Sequence, residues 1–354
     1  MPRPKKSRLR RVLVGVLAFC VGLIGGGGAI GCCVFSAPGH SGPATDHFDG
    51  EKFSNQVPVE HAGFCEFLGW QLTAEPGAWE DVSDAKPGQK PPARVGKGEL
   101  RITFVGHATT LVQMDGKNVL TDPIWSERAS PVSFAGPSRL VPPGVPLDAL
   151  PPIDFVTLSH DHYDHTDLPS IEALAKRGTR FVAGLEMGDL VRSVGGEVVE
   201  LDWWQSTTMA GVEVHCVPAQ HFSGRSLTGR DRRLWAGWVV AGPTRRFLHA
   251  GDTGYFGGFA EIGRRLGPID LAALPIGAYD PPEIMRFVHM NAEEAVQAAV
   301  DLGARRAIAM HWGTFDLTDE PLDEPPQRFR AAATKAGLDD DRAWVFAVGE
   351  TRRW

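Results

Sequence analysis

The sequence predicts an α/β protein in which β-sheets are covered by helices. From Glu99 onward, short runs rich in β-forming residues are separated by turn residues, which is typical of neighbouring strands. Later in the chain, segments with apolar residues at helical spacing are interleaved with further strands. The chain has 354 residues, 43% of them hydrophobic, and can therefore bury one or two large cores.

The strands and helices follow each other in a recognisable order. ELRITFVG, TTLVQM and KNVLT have the pattern of a meander, and DFVTLSH, TRFVAGL, GVEVHCVP, LWAGWVVAG, RRFLHAGD, PIDLAALPIG and RAIAMHWG read as further strands. LPSIEALAKRG carries apolar residues at helical spacing and ends at Gly178. NAEEAVQAAVDLGA begins with an Asn N-cap and has Glu at the third helical position, which predicts a second helix.

Composition divides the chain into three parts. Residues 1–39 form an N-terminal membrane anchor or signal segment, and residues 40–98 form an extension and loop that we expect to pack on the main domain. Residues 99–354 form the main domain. Six of the 36 basic residues lie in residues 1–11, so the rest of the chain has 30 basic residues against 43 acidic ones. This acidic body argues against nucleic acid as a partner.

The N-terminal segment is long enough to cross a bilayer, since residues 12–35 contain no charged residue and follow a basic flank. The positive-inside rule keeps that flank in the cytoplasm and predicts a membrane-anchored or exported body outside the cytoplasmic membrane. A cleaved signal peptide and a lipid-modified Cys32 are the alternatives. Beyond this segment only Cys65 and Cys216 remain, and the sequence leaves open whether they form a disulfide.

The most concentrated chemistry lies at the end of one predicted strand. The stretch SHDHYDH places three of the 12 histidines within six positions, together with two aspartates. Imidazole nitrogen and carboxylate oxygen are ligands for zinc and similar metals. Residues two apart on an extended segment point the same way, so His160 and His162 can share one ion, while Asp164 and His165 can face a second ion.

Three more candidate ligands follow the ends of other strands: His221, Asp252 and His311. Together with the histidine cluster they resemble the metallo-β-lactamase superfamily, whose pattern is HxHxDH followed by a distant His, Asp and His. The resemblance covers roughly residues 99–354. It implies an αβ/βα sandwich with the metal site in a groove at its edge.

The resemblance also implies how the metals are held. His160, His162 and His221 would bind one ion, Asp164, His165 and His311 the other, and Asp252 would bridge them. We expect two Zn²⁺ ions, with iron or manganese as alternatives, and such a pair can produce hydroxide at neutral pH. Asp164 or Asp252 would orient that nucleophile as the catalytic carboxylate.

Other stretches resemble the branch of this superfamily that contains the phospholipase D acting on N-acyl-phosphatidylethanolamine. They are FVGHATTLVQMDGKNVLTDPIWSERASP, PAQHFSGR, AGDTGY, PIGAYDP, HMNAEEAV, MHWGTF and DEPP. This resemblance implies a phospholipid or other small amphiphilic substrate contacted by Tyr163 and His289. Arg225 is a further candidate, as a phosphate contact, although a solvated basic loop is the more common reason for a run of arginines such as that in SGRSLTGRDRR. PPEIMRFV departs from the aromatic, basic stretch of that branch.

Two residues are candidates for supporting roles, and several functions remain open. Asp122 could orient a ligand histidine or only form a turn, and His107 could lie beside the metals or only pack. A lactonase or another ester or amide hydrolase could use the same hydroxide. An iron-dependent redox enzyme and a non-catalytic metal-binding protein are the alternatives of other classes. The sequence does not indicate the oligomeric state.

Overall fold

A computed structural model describes residues 39–59, 63–74, 77–79, 87–225 and 229–354. The predicted anchor, residues 12–35, lies outside these ranges. In the described part of the chain, no helix is long and apolar enough to span a membrane.

Fourteen strands in the described residues form two seven-stranded mixed sheets. The first sheet contains, in spatial order, β14 (Thr351–Arg353), β1 (Leu100–Gly106), β2 (Thr109–Met114), β3 (Lys117–Thr121), β4 (Phe155–Leu158), β5 (Arg180–Gly184) and β6 (Glu197–Leu201). The second contains β13 (Ala343–Trp344), β12 (Arg306–Met310), β11 (Leu271–Pro275), β10 (Arg246–His249), β9 (Gly237–Ala241), β8 (Val212–Val217) and β7 (Ser206–Met209).

Each sheet joins an antiparallel part to a parallel part. β1, β2 and β3 pair antiparallel, which confirms the predicted meander, and β3 to β6 then run parallel. In the second sheet β7 to β10 are antiparallel and β10 to β13 are parallel. The carboxyl ends of parallel strands meet at one edge of a sheet. The loop after β4 lies at such an edge of the first sheet, and the loops after β10 and β12 lie at such an edge of the second.

Seven α-helices accompany the sheets in the described ranges: α1 (Phe64–Thr73), α2 (Leu168–Ala175), α3 (Gly188–Ser193), α4 (Gly258–Leu266), α5 (Pro282–Met285), α6 (Ala292–Asp301) and α7 (Glu324–Lys335). The two predicted helices are confirmed as α2 and α6. Asn291 caps α6: its side chain accepts from the Glu294 amide while the Glu294 carboxylate accepts from the Asn291 amide.

Two hydrophobic clusters hold these layers together. Alternate residues of β1, Leu100, Ile102 and Phe104, belong to one buried cluster that also contains Val214 and Trp238 of the second sheet. This cluster joins the facing sides of the two sheets. The opposite face of the first sheet forms the second cluster with side chains of α2 and α3. The predicted αβ/βα sandwich is confirmed.

The structure adds elements that sequence patterns did not predict. They are β6, β7, β13, β14, α1, α3, α4, α5 and α7. Residues 39–55 also pack on the main domain, where Phe48 and Phe53 are buried. Cys216 is a buried free thiol in the structure.

Candidate metal centre

The candidate ligands and the two candidate supporting residues lie in loops that follow the carboxyl ends of strands. His107, Asp122 and His311 come directly after β1, β3 and β12, and His160 follows β4 after one residue. His221 and Asp252 lie a few residues beyond β8 and β10. Strands from both sheets therefore direct polar side chains toward one edge of the sandwich.

The first set of converging atoms belongs to His160, His162 and His221. His160 Nε2 lies 2.8 Å from His162 Nδ1, and His162 Nδ1 lies 3.3 Å from His221 Nε2. The remaining ring nitrogen of His221, Nδ1, donates to the Val288 carbonyl at 2.9 Å. This hydrogen bond fixes the tautomer of His221 and leaves its Nε2 free to bind an ion.

The second set surrounds one oxygen of Asp164. Asp164 Oδ2 lies 3.3 Å from His165 Nε2 and 3.4 Å from His311 Nε2. His107 Nε2 is closer, at 2.8 Å, within hydrogen-bonding distance of the same oxygen. One ligand atom from each of these four residues falls within 4.8 Å of the others, a separation that suits a single metal ion.

Asp252 connects the two sets. Its Oδ2 lies 3.0 Å from His311 Nε2 and 3.1 Å from His165 Nε2. The same oxygen lies 3.9 Å from both His160 Nε2 and His221 Nε2. Asp252 therefore lies where a carboxylate would bridge two ions.

Several buried atoms of this cluster have no hydrogen-bond partner within the described chain. They include Asp252 Oδ1, and also His165 Nε2 and His311 Nε2, whose short contacts with Asp252 Oδ2 lack hydrogen-bond geometry. Leaving such an atom unpaired costs about 1–3 kcal/mol, so a cluster of them is unusual unless another group completes it. The donors are imidazoles and carboxylates, which suit zinc and related metals. The residues present therefore fit a pair of metal ions.

The electrostatics of the cluster also favour bound cations. Burial alone would raise the pKa of Asp252, but the neighbouring His165 and His311 hold that pKa well below its usual range. Burial likewise opposes protonation of His311, yet Asp252 and Asp164 raise the pKa of His311 to about 9. The pKa of Asp164 is likewise well below its usual range, and among the histidines of this cluster only His165 and His311 have raised pKa values, so these two imidazoles carry the positive charge that metal ions would supply.

Asp122 contacts His165, a histidine of the second set, through the ring nitrogen that does not face Asp164. Its Oδ2 lies 2.8 Å from His165 Nδ1 and accepts a hydrogen bond from the Ser159 hydroxyl at 2.6 Å, while its Oδ1 accepts from the Ser159 amide at 2.8 Å. Ser159 Oγ also lies 2.9 Å from His160 Nδ1. Asp122 and Ser159 therefore orient one histidine of each ligand set.

Unusual backbone conformations accompany this arrangement. His107, Asp122 and His311 have φ values of 55°, 33° and 58°, in the left-handed region that residues other than glycine rarely adopt. Such strain concentrates at functional sites, where the surrounding structure enforces it. Gly251 also has positive φ, and a Cβ there would approach the Ser159 Cβ to 2.6 Å. Glycine is therefore required for the loop carrying Asp252 to lie against Ser159.

The three predicted substrate contacts occupy different places. His289 is at the metal cluster, with its Nδ1 3.9 Å from Asp252 Oδ2 and its ring between those of His221 and His311. Burial lowers the pKa of His289 to about 4. Tyr163 and Arg225 instead stack on each other, with the guanidinium carbon 3.9 Å from the ring centroid.

Arg225 stabilises the metal-binding loop through hydrogen bonds to its backbone. Its Nη1 donates to the carbonyls of Asp161 and Thr166 at 2.7 and 2.8 Å, and its own carbonyl accepts a hydrogen bond from the Tyr163 hydroxyl. Tyr163 and Arg225 line a cavity of about 450 Å³ whose other wall is formed by residues 126–133. This cavity opens beside the loop that carries the metal ligands.

Two residues of the site were not predicted from the sequence. Ser159 immediately precedes His160 at the end of an apolar strand, a position from which its hydroxyl could have been suspected. Asn55 hydrogen-bonds the backbone of His221 from 166 positions away. No local sequence signal indicates that contact.

Comparisons with known proteins agree with this geometry. A family model described as beta-lactamase superfamily domain matches residues 117–312. An uncharacterized protein of Mycobacterium tuberculosis is 44% identical over 273 residues, which cover 75% of this chain and 72% of that protein. The N-acyl-phosphatidylethanolamine-hydrolyzing phospholipase D 1 of Caenorhabditis elegans is 41% identical over 245 residues, covering 65% of this chain and 69% of that enzyme.

Solved structures share the fold. Igni18, described as a metallo hydrolase from the archaeon Ignicoccus hospitalis, superimposes with a TM-score of 0.56 at 24% identity. The match covers 72% of this chain and 98% of the archaeal one. At this identity the comparison bears on the fold alone.

Proposed function

Because this chain belongs to the metallo-β-lactamase superfamily and is a metal-dependent hydrolase, we propose that it is a dinuclear zinc phosphodiesterase of the phospholipase D type. Its substrates would be N-acyl-phosphatidylethanolamine-like lipids. The observation that carries the proposal is the pair of ligand sets joined by Asp252, in a chain that is 41% identical to an enzyme named for this reaction.

Seven side chains would hold the metals. One set consists of His160, His162 and His221, the other of Asp164, His165 and His311, with Asp252 shared by both. When bound, the ions lower the pKa of coordinated water and stabilise negative charge that develops on the substrate. His107 holds one oxygen of Asp164 and so limits the rotation of that carboxylate.

The overall reaction consumes water. A water oxygen forms a bond to phosphorus, the bond from phosphorus to the N-acylethanolamine oxygen breaks, and that oxygen leaves with a proton. Asp252 is placed to orient the attacking oxygen because its carboxylate lies between both ligand sets. His289 has an unpaired ring nitrogen at the cluster and would hydrogen-bond a phosphate oxygen.

We assign the rest of the substrate to the cavity beside the loop. Leu168, Pro169, Pro131 and Val132 supply apolar lining, and serine hydroxyls supply polar contacts. A cavity of this mixed character suits an amphiphile better than a small polar ester. Tyr163 and Arg225 would act mainly by shaping this wall.

The experiment is a substrate panel tested on the full-length chain in detergent. The substrates are an N-acyl-phosphatidylethanolamine, bis-p-nitrophenyl phosphate and an aryl lactone. We expect release of the N-acylethanolamine, and His162→Ala should abolish it while His215→Ala, on the outside of β8, should not. His289→Ala should reduce kcat/KM about tenfold, or about 1.4 kcal/mol, without changing the metal content.

Two results would replace the proposed reaction with a different one. Turnover of the lactone alone would replace the phosphodiesterase with a carbonyl-directed hydrolase on the same metals. Iron as the dominant bound metal, together with oxygen-dependent turnover, would replace hydrolysis with redox chemistry.

We also propose that residues 12–35 anchor the enzyme in the cytoplasmic membrane, with the hydrolase domain on the outer side. The support is the uncharged length of this segment and its basic flank. Protease added to intact cells, after removal of any outer barrier, should degrade the hydrolase domain. Protection of that domain in intact cells, and its release into the soluble fraction on lysis, would contradict the anchor.

A further inference from the structure

Asn55 contacts a predicted metal ligand through both ends of its amide. Its Nδ2 donates to the carbonyl of His221 at 2.9 Å, and its Oδ1 accepts from the backbone amide of His221 at 2.9 Å. The side chain thus pairs with the His221 backbone much as a neighbouring strand would. Asn55 lies 166 residues before His221 and well before residues 117–312, which the family model matches.

The amide itself is held in place. The indole Nε1 of Trp235 donates to Asn55 Oδ1 at 3.0 Å and also lies 3.0 Å from the carbonyl oxygen of Ala219, two residues before His221. Trp235 is buried, so these hydrogen bonds form away from solvent. The Oδ1 atom therefore accepts two hydrogen bonds, and this fixes which end of the amide faces the His221 carbonyl.

The segment that carries Asn55 is anchored to the body at several points. The Phe53 amide donates to the Asp231 carbonyl at 2.8 Å, and the ring of Phe53 is buried. Upstream, His47 Nε2 lies 2.7 Å from Asp202 Oδ1, and its ring stacks on Trp203. Asn55 is thus presented to His221 by a packed segment.

His221 depends on such support because it lies in a loop beyond the end of β8. Its backbone amide and carbonyl are bound by Asn55, and its Nδ1 is bound by the Val288 carbonyl. These three hydrogen bonds fix both the position of the residue and the rotation of its ring. Loss of comparable supports around metal ligands costs about 10–100-fold in metal affinity.

We propose that Asn55 is a positioning residue of the metal centre, through which the segment of residues 39–55 supports the first ligand set. This inference rests on the proposed dinuclear function. It predicts an asymmetry: without the Asn55 amide, the set of His160, His162 and His221 should weaken, while the set of Asp164, His165 and His311 should keep its affinity.

The test compares Asn55→Ala with Gln56→Ala in the full-length chain. Gln56 carries the same functional group at the next, exposed position, so it controls for loss of an amide. Zinc bound per chain is counted by mass spectrometry, and both binding steps are measured by chelator competition. For Asn55→Ala we expect one binding step weakened about 10–100-fold and the other unchanged, with Gln56→Ala matching wild type.

A second variant separates positioning from folding. Asn55→Asp keeps an acceptor for the His221 amide and for Trp235, but it cannot donate to the His221 carbonyl. We expect it to fold as the wild type does, as judged by thermal unfolding of the metal-free protein, and still to weaken one binding step.

The outcomes can be told apart. Wild-type affinity for both metals in Asn55→Ala and Asn55→Asp would overturn the inference, and so would equal weakening of both steps, which indicates general loosening. A wild-type chain that binds fewer than two metals would overturn the proposed dinuclear function, and the inference would fall with it.

Discussion

At the scale of single residues, Asp252 is where the two ligand sets meet. Its carboxylate lies close to His165 and His311 and is buried with one oxygen unpaired. A buried anion surrounded by imidazoles is stable only when positive charge neutralises it. Protons on the histidines can supply that charge, and metal ions can supply it together with ligand bonds.

Asp122→Asn tests how strongly metal binding depends on residues that hydrogen-bond the metal ligands. The amide NH₂ of asparagine cannot accept the hydrogen bond of His165 Nδ1, so the tautomer that presents Nε2 to a metal is no longer favoured. We expect metal affinity to fall about 10–100-fold. Chelator competition measures this loss. Asp148→Asn, at an exposed position, serves as the control, and equal affinities of the two variants would contradict the role of Asp122.

Local spacing explains which site residues the sequence could reveal. His160, His162, Asp164 and His165 lie within six positions, and their chemistry is visible in one short motif. Asn55 reaches the site only through the packing of Phe48 and Phe53, and nothing near it in the chain indicates a metal. Predicting it would have required knowing the tertiary structure.

At the scale of elements, buried charge fixes the loop between β4 and α2. Arg233 bridges Asp161 and Asp189, with Nη1 3.1 Å from the first carboxylate and Nη2 2.9 Å from the second. The side chains of Arg233 and Asp161 are almost completely inaccessible to solvent. Arg225 and Arg233, two of the arginines that follow His221, both tie this loop to its neighbours.

Arg233→Met should destabilise the fold. It leaves the Asp161 carboxylate buried without its cation, which costs about 3–5 kcal/mol in the free energy of unfolding. Denaturant unfolding of the metal-free chain measures this loss. Arg232→Met is the matched control, because Arg232 pairs with the exposed Glu51 and should cost less than about 1 kcal/mol. Similar losses in both variants would show that burial of the pair does not matter.

The elements that sequence patterns missed share physical features. β6 and β7, with sequences EVVEL and STTM, are only partly buried and carry polar residues, so they lack the continuous apolar run of a central strand. α7 begins with Glu-Pro-Pro, which resembles a turn until the first helical positions are considered. β1 to β5 were readily predicted because most of their residues are buried.

At the scale of the whole molecule, the segment of residues 39–55 packs against the sandwich. His47 links it to the body through Asp202, and Phe48 and Phe53 enter the main core. Burial alone would lower the pKa of His47, but its hydrogen bonds to Asp202 and Asp46 raise that pKa above its ordinary value.

This docking should therefore depend on pH. A raised pKa in the folded state means that the contribution of His47 to stability is complete below pH 6.5 and declines as pH rises through the folded-state pKa. Compared with His47→Gln, the wild type should lose more stability as pH rises above 6.5, as measured by denaturant unfolding at fixed ionic strength. Parallel curves for wild type and His47→Gln would refute this linkage.

The proposed reaction requires two metal ions. A chelator-stripped, full-length chain should be titrated with zinc while release of an N-acylethanolamine from its phospholipid is followed. We predict no activity in the stripped protein and a rise that saturates at about two equivalents per chain. Saturation at one equivalent, or activity that does not depend on added metal, would contradict the dinuclear site built around Asp252.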